Sequence, residues 1–340
     1  MSASFASNSR PPLFVDGSTV ERVLTPELCL QAVESAFRSL ARNQAIQPLR
    51  TLLTLPGSGE GGASNYFLVM PAHVQDPPAL GAKLITLFPG NHDLGLPSHQ
   101  GVILFFDADT GGLRAVVDAE SVTALRTAAA SALATRHLAQ EEAEVLAILG
   151  SGVQARSHLD AILAVRPIRE VRVWSRTSAN AQAFVEEMSE RQRRHPFPQG
   201  PVVLRAVPDP ESAVRGAQVI CTLTASPTPV VRGEWLDAGS HVNAVGAYTA
   251  QTRELDSQAV AQARLYVDRR ESALAEAGDY LIPLSEGGVT DQHIVGEMGD
   301  LLEGRVPGRI SAEERTIFKS LGLAVQDLAA VSCLVRELGT

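Results

Sequence analysis

Aromatic side chains are scarce in this sequence. Tryptophan, tyrosine and phenylalanine make up 5% of its 340 residues. Alanine and valine abound instead, which suits small-residue helices packed on sheets. Cysteine is scarcer still. Cys29, Cys221 and Cys333 lie far apart, odd in number and outside any CxxC; this excludes a disulfide framework and reads as reduced, buried thiols in a cytoplasmic protein. No apolar run approaches the roughly 20 residues of a membrane span; "GVILFF" is typical of the longest. The opening "MSASFASNSRPPLF" lacks an apolar core, so no secretory signal is expected. Positive charge is in deficit, with 29 Lys and Arg against 38 Asp and Glu and a net charge of -9. The one basic block, Arg191-Gln192-Arg193-Arg194, adjoins "RHPFPQGP" and reads as a solvated loop. Nucleic acid and acidic membrane surfaces are thereby excluded as partners, while a small anion in a locally basic pocket is not. The eight histidines show no metal spacing, His158 reads as an outer helix residue, and neither HExxH nor GxSxG occurs.

What is present has an ordinary globular balance, 45% hydrophobic and 20% charged, and a length that suggests two domains. Thr25-Pro26-Glu27 opens a helix, with Thr as cap and Pro in the first turn. From Arg50 to Val117 apolar runs punctuated by Gly, Pro and Asp predict a strand-rich unit, with "DADTGG" as a hairpin turn. "TAAASALATRHLA", 127–139, predicts a small-residue helix joining the domains. From Glu144 strands alternate with helices: "EVLAILG", "EVRVWSR", "VVLRAV", "QVICTLT", "SHVNAVG" and "RLYVD". That rhythm predicts a parallel sheet covered on both faces and complete near residue 270. "EERTIFKSLGLAVQDLAAVSCLVREL" reads as one long amphipathic helix returning to the first unit.

Gly150-Ser151-Gly152-Val153-Gln154-Ala155 fits G-x-G-x-x-A between a strand and a helix. The first Gly permits the turn, the second admits a pyrophosphate to the backbone, and the Ala lets helix pack on strand. A dinucleotide is the expected ligand. An NAD site places Asp or Glu at the end of the second strand to hold the ribose 2′-OH. Here the strand ends in Trp174-Ser175-Arg176-Thr177. Two hydroxyls and a guanidinium suit a 2′-phosphate, so NADPH is favoured over NADH.

Three cations stand in apolar surroundings. Lys83 in "LGAKLITLF" shares a period-two face with Ile85 and Leu87, and is either a snorkelling strand-end lysine or a site residue. Arg50 opens "RTLLTL" and on its own reads as a surface arginine; Arg126 precedes the run of alanines at a helix start. Together they suggest a carboxylate clamp, with a desolvated lysine able to act as acid or base. His99 in "PSHQG" is either a structural loop residue or a contact to cofactor or substrate.

These pieces converge. "IQPLRTLL", "LGAKLITLFPGN", "PSHQGVILFFDADTGGLRAVVDAESVTALRTAAASALAT", "LAILGSGVQARSHL", "VWSRT", "GEWLDAGSHVNAVGA" and "FKSLGLAVQDLAA" resemble the ornithine cyclodeaminase/mu-crystallin family along nearly the whole chain, and its mu-crystallin branch above all. The resemblance implies an α/β protein: a Rossmann dinucleotide-binding domain, 128–317, and an α+β substrate-binding and dimerisation domain, 1–127 with 318–340. It implies a homodimer and NAD(P)H-dependent reduction of the C=N bond of ketimine or α-imino acids to amino acids. Arg50, Lys83 and Arg126 would face the substrate carboxylate, with Lys83 and Arg126 catalytic. Ser98, His99 and Thr123 would lie beside cofactor or substrate. Thr222, Leu223, Thr224, Val245 and Gly246 would border the cofactor, and Lys319, Ser320, Leu321 and Gly322 would close over its nicotinamide end. The family also contains an alanine-type dehydrogenase, the cyclodeaminase that turns ornithine into proline plus ammonia, and a thyroid-hormone-binding role. Cyclodeaminases carry an Asp in the loop after the fourth Rossmann strand. Here Ser226 falls at or near that position, and a hydroxyl cannot serve as a carboxylate base at neutral pH.

Overall fold

The computed structural model describes residues 11–55 and 64–339; the leading segment 1–10 lies outside them. In chain order the first part runs β1 (Leu13–Val15), α1 (Gly17–Val23), α2 (Pro26–Ala41), β2 (Ala45–Ile46), β3 (Thr51–Leu55), β4 (Asn65–Val74), β5 (Ala79–Leu87), β6 (His99–Phe106), β7 (Leu113–Asp118) and α3 (Ala119–Leu138). The second runs β8 (Val145–Leu149), α4 (Val153–Leu163), β9 (Glu170–Trp174), α5 (Ser178–Arg194), β10 (Val203–Ala206), α6 (Pro210–Val214), β11 (Val219–Thr222), β12 (His241–Ala244), α7 (Ser257–Ala261), β13 (Arg264–Val267), α8 (Arg270–Glu276), α9 (Gly278–Ser285), β14 (Ile294–Glu297), α10 (Met298–Leu302), β15 (Thr316–Lys319) and α11 (Ala324–Glu337).

The seven early strands form one mixed sheet in the order β1-β7-β6-β5-β4-β2, with β3 also paired to β4. Only β1–β7 is parallel; β4, β5 and β6 are a long antiparallel meander. The other eight strands form an all-parallel sheet, β10-β9-β8-β11-β12-β15-β13-β14. The chain leaves β8 in one direction through β9 and β10, then returns to its other side with β11. Ligands of such sheets bind where the strand order reverses, outside the carboxyl ends.

Local chemistry explains the elements that frame this edge. Thr25 caps α2, its Oγ1 accepting from Leu28 N–H at 3.3 Å, with Pro26 in the first turn. Asp118 caps α3 in the same way, accepting from Ser121 N–H at 2.8 Å. Alanine dominates α3, so it packs closely on α2, α4 and both sheets. It starts at Ala119, eight residues before the expected start at Thr127, because the Asp118 cap sets its beginning.

Four sequence expectations need correction. The eight-stranded sheet is not complete near residue 270: β14 and β15 extend it, and β15 is inserted between β12 and β13. The last segment is therefore not one helix. Its "TIFK" is a fully buried strand of β-branched and aromatic residues, where burial on both faces outweighs the helical pattern. Gly322, at φ +82°, turns the chain into α11, which packs on α2, α3 and the meander. A boundary at 318 thus falls inside β15, and one at 127 falls inside α3. Arg191, Arg193 and Arg194 are not in a loop but end α5, where they suit the helix C-terminus and pair with Asp160 and Glu190. His158 is not on an outer face. It is fully buried between α4 and α3, with Nε2 2.9 Å from Ser131 Oγ and Nδ1 2.8 Å from the Gln154 carbonyl.

Among the described residues no helix is long and apolar enough to cross a membrane, and no group of three His, Cys, Asp or Glu is placed to hold a metal. All three cysteines are buried and unpaired.

Candidate active site

The buried face of β5 runs Ala79, Gly81, Lys83, Ile85 and Leu87, as a period of two requires. Helix α11 lies over it and brings Asp327 to Lys83. Lys83 Nζ is 2.7 Å from Asp327 Oδ2 and donates to Thr123 Oγ1 on α3 at 3.4 Å. The other carboxylate oxygen, Oδ1, accepts from Arg126 Nε at 2.9 Å, and Arg126 Nη1 donates to Gln326 Oε1 at 3.1 Å. Lys83, Arg126, Gln326 and Asp327 are all buried. Burial drives the Lys83 ammonium down to about 7; Asp327 opposes the shift, and Arg126 and Arg50 add to it.

Arg50 approaches from the start of β3. Its Nη2 donates to the Leu321 carbonyl at 2.9 Å and is 2.9 Å from Glu276 at the end of α8. Burial raises the Glu276 carboxyl and Arg50 works against that. His99 opens β6, exposed at its edge, with Nδ1 3.1 Å from Ser98 Oγ. Protein crowded around the ring, and then the Lys83 charge, hold its pKa below that of a free imidazole. The structure therefore gathers Arg50, Arg126, Thr123 and His99 around Lys83. Ser226 is not drawn into this set: its hydroxyl donates to the Thr228 carbonyl of its own loop at 2.7 Å.

On the neighbouring sheet the glycine loop ends β8 and opens α4. Gly150 has φ +121°, and a Cβ there would stand 2.6 Å from the Leu223 carbonyl oxygen, so only glycine lets β8 and β11 approach. A Cβ on Gly152 would meet nothing within 4 Å, which leaves an open cradle at the helix start. Val153 is exposed there, and Gln154 Oε1 is buried without a hydrogen-bond partner. Ser151 Oγ donates to Ser175 Oγ at 3.1 Å, joining this loop to the end of β9. Beyond it Arg176 and Thr177 are exposed, and Thr177 stands at the N-cap of α5 with no capping bond from its side chain. Turn, helix N-terminus and free polar atoms together fit a bound dinucleotide.

Sequence reasoning missed a set of buried acids behind these loops. Glu254 accepts from Thr222 Oγ1 (2.8 Å), Thr224 N–H (2.7 Å), Thr224 Oγ1 (2.6 Å), Gly246 N–H (2.7 Å) and Ala247 N–H (3.3 Å). Thr222, Thr224 and Gly246 are thus tied to one buried carboxylate, and the Val245 and Gly246 N–H groups also donate to the Thr222 carbonyl. Asp279 accepts from the N–H groups of Glu254 and Leu255 and is 2.9 Å from Lys319 Nζ, which also donates to the Ala247 carbonyl. Asp268 Oδ2, closing β13, accepts from Leu321 N–H at 2.6 Å and Gly322 N–H at 2.8 Å. Burial raises the pKa of both Glu254 and Asp268. Ser320 Oγ is buried without a partner. The only advance signal for Asp268 is a carboxylate at the carboxyl end of a buried strand; Glu254 and Asp279 carry none. A groove of about 320 Å³ lined by Gln140, Glu144 and Gln218 opens at the opposite, amino edge of this sheet and takes no part in the site.

Of the 29 Lys and Arg side chains two are lysines, Lys83 and Lys319, and both are fully buried. A chain that uses arginine everywhere else keeps a compact ammonium at these two buried positions.

The model for the ornithine cyclodeaminase/mu-crystallin family matches residues 12–338. The chain is 38% identical over 325 residues to the ketimine reductase mu-crystallin of Mus musculus, covering 94% of this chain and 96% of that protein. Its fold is similar to that of Thermococcus litoralis Δ1-pyrroline-2-carboxylate reductase, solved with NADH and L-proline, with a TM-score of 0.89, 34% identity and coverage of 96% and 97%. It is also similar to an archaeal alanine dehydrogenase dimer with bound NAD, with a TM-score of 0.85, 32% identity and coverage of 96% of this chain. With a matching family model across both sheets and the cleft between them, the chain belongs to the ornithine cyclodeaminase/mu-crystallin family.

Proposed function

We propose that this protein is an NAD(P)H-dependent imine reductase that converts cyclic ketimine or α-imino acids to amino acids. The observation that carries this reading is the buried Lys83, adjusted to about 7 and flanked by Arg126 and Arg50 within one cleft. A dinucleotide held by the glycine loop, residues 150–154, would supply the hydride for reduction of the imine carbon. Arg50 and Arg126 hold the substrate carboxylate, the guanidinium fork being suited to bidentate grip. Lys83 holds or donates the proton on the imine nitrogen, because a positively charged C=N bond accepts hydride more readily than a neutral one. A group poised near neutrality is both charged enough to give a proton and weak enough to part with it. The cleft between the two sheets orients both reactants, and this contributes much of the rate.

The test is NADPH and NADH oxidation with piperideine-2-carboxylate, pyrroline-2-carboxylate, and pyruvate plus amines. Turnover of a cyclic imino acid is expected. No oxidation with any of them sinks the reading and leaves a binding role, such as retention of a thyroid-hormone-like ligand. Alanine-dependent NADH formation would mark an alanine-type dehydrogenase, and proline formed from ornithine a cyclodeaminase. Against the last stands Ser226, whose hydroxyl is engaged with its own loop.

NADPH is the preferred reductant in this reading. The end of β9 offers Ser175, Arg176 and Thr177 and no carboxylate. Arg176→Ala should raise the KM for NADPH about tenfold or more and leave that for NADH nearly unchanged, since a guanidinium–phosphate pair is worth about 1.5–3 kcal/mol. An equal effect on both cofactors would remove Arg176 from phosphate recognition.

The working unit is a homodimer whose interface includes β3. Leu52 and Leu53 are 53% and 55% exposed on this strand, an apolar surface that a second copy would cover. Leu53→Glu should lower the mass measured by light scattering from dimer to monomer; an unchanged mass places the interface elsewhere.

A further inference from the structure

Asp327 lies on α11, outside the trio of cations, yet it is the group that organises two of them. It is fully buried, and each of its oxygens meets a different cation: Oδ1 accepts from Arg126 Nε at 2.9 Å and Oδ2 stands 2.7 Å from Lys83 Nζ. Among the described residues Lys83 otherwise reaches only Thr123 Oγ1, at 3.4 Å, and Arg126 otherwise reaches Gln326. A carboxylate between two buried cations does two things. It fixes the distance between them, and it cancels one of their charges. Arg50 is matched in the same way, by Glu276 at 2.9 Å and by the nearby buried Asp268.

We infer that Asp327 is the positioning residue of the reaction: it aims Lys83 and Arg126 at the imino acid and keeps Lys83 charged until that substrate is bound. The inference rests on the reading of Lys83 as proton donor. It goes further by naming what controls the donor. The groups that face Lys83 are Asp327 on α11, Arg126 and Thr123 on α3, Arg50 at the start of β3 and His99 at the start of β6. Asp327 is the anion among them, so its removal leaves Lys83 facing two guanidinium groups with nothing to oppose them.

The test is the pH dependence of kcat/KM with saturating NADPH for Asp327→Asn, Asp327→Glu and Lys83→Met. A donor must be protonated, so wild-type activity falls as pH rises through the Lys83 transition. Asp327→Asn should move that fall to lower pH by about one unit or more. It should lower kcat at neutral pH about fivefold or more without raising the KM for the imino acid, because Arg50 and Arg126 keep their charge. Asp327→Glu keeps the charge, so its profile should stay within about half a unit of wild type even where packing lowers its Tm. If Asp327→Asn does not fold, the Glu variant decides alone: a retained profile supports the inference and a displaced one overturns it. A fall in kcat with an unmoved profile, or a raised KM, overturns it as well. If Lys83→Met itself keeps the wild-type profile, the donor reading fails; if it loses the profile while Asp327→Asn leaves it unmoved, only the inference fails.

Discussion

Lys83→Met is expected to lower kcat/KM for the imino acid by about two to four powers of ten, the range that a positioned general acid contributes. NADPH binding should change little, since Lys83 belongs to the meander and not to the nucleotide sheet. Lys83→Arg should fare no better, because a guanidinium keeps its charge at every accessible pH. The same residue ties activity to stability with opposite signs. Its pKa is about 7 in the folded chain against 10.5 for an ordinary lysine. Between those two values the unfolded chain carries a proton that the folded one lacks, so this group's contribution to stability rises with pH across that window. Activity that needs the ammonium falls across the same window. Wild-type protein should therefore show kcat/KM declining above about pH 7 while the Lys83 contribution to Tm increases, and Lys83→Met should remove both trends. Parallel trends in the wild-type protein, or their survival in Lys83→Met, would refute the assignment. Thermal unfolding and initial rates, measured in the same buffers, settle the point.

Glu254→Ala is expected to be the most damaging single change for the fold around the cofactor. The carboxylate accepts from three backbone N–H groups and two hydroxyls, and alanine would strand four of these donors behind the loops that follow β11 and β12, the Gly246 N–H keeping the Thr222 carbonyl. Stranding buried polar groups in this way costs about 3–5 kcal/mol, read as a lower Tm. The loops that frame the cofactor lose their shared anchor, so the stabilisation that saturating NADPH gives to wild type should shrink in the variant. Glu254→Gln keeps one acceptor oxygen and should fall between the two. A Glu254→Ala protein with wild-type Tm and wild-type stabilisation by NADPH would show that these loops hold themselves.

The nucleotide half of the cleft was legible because its signals are local. Gly150 to Ala155 and the "VWSRT" strand end each carry their meaning within a few residues, and the β8-α4-β9 geometry follows the spacing. Lys83 and Arg126 were legible for a different reason: a cation in an apolar run is a cost that needs a purpose. What paired them was not legible. Asp327 lies in a helix that reads as ordinarily amphipathic, and its contact with Lys83 spans most of the chain. Glu254 and Asp279 are similar; nothing in "RELD" or "AGDYL" shows that their carboxylates turn inward. The β15 strand was misread because "TIFK" is short and flows into a true helix, so periodicity alone could not separate them. Acids that satisfy distant donors are set by topology, and topology joins residues that sequence windows keep apart.

The burial of both lysines has a consequence for how the molecule can be watched. An acylating reagent at neutral pH meets no exposed ε-amine on the folded chain, since Lys83 and Lys319 are each about 1% exposed or less. The two lie on different sheets, one in the meander and one at the end of β15. Labelling of Lys83 alone would report that α11 has lifted from the meander, and labelling of both would report global unfolding. The pair forms a built-in two-channel clock for the opening of the cleft, with no foreign probe to disturb it.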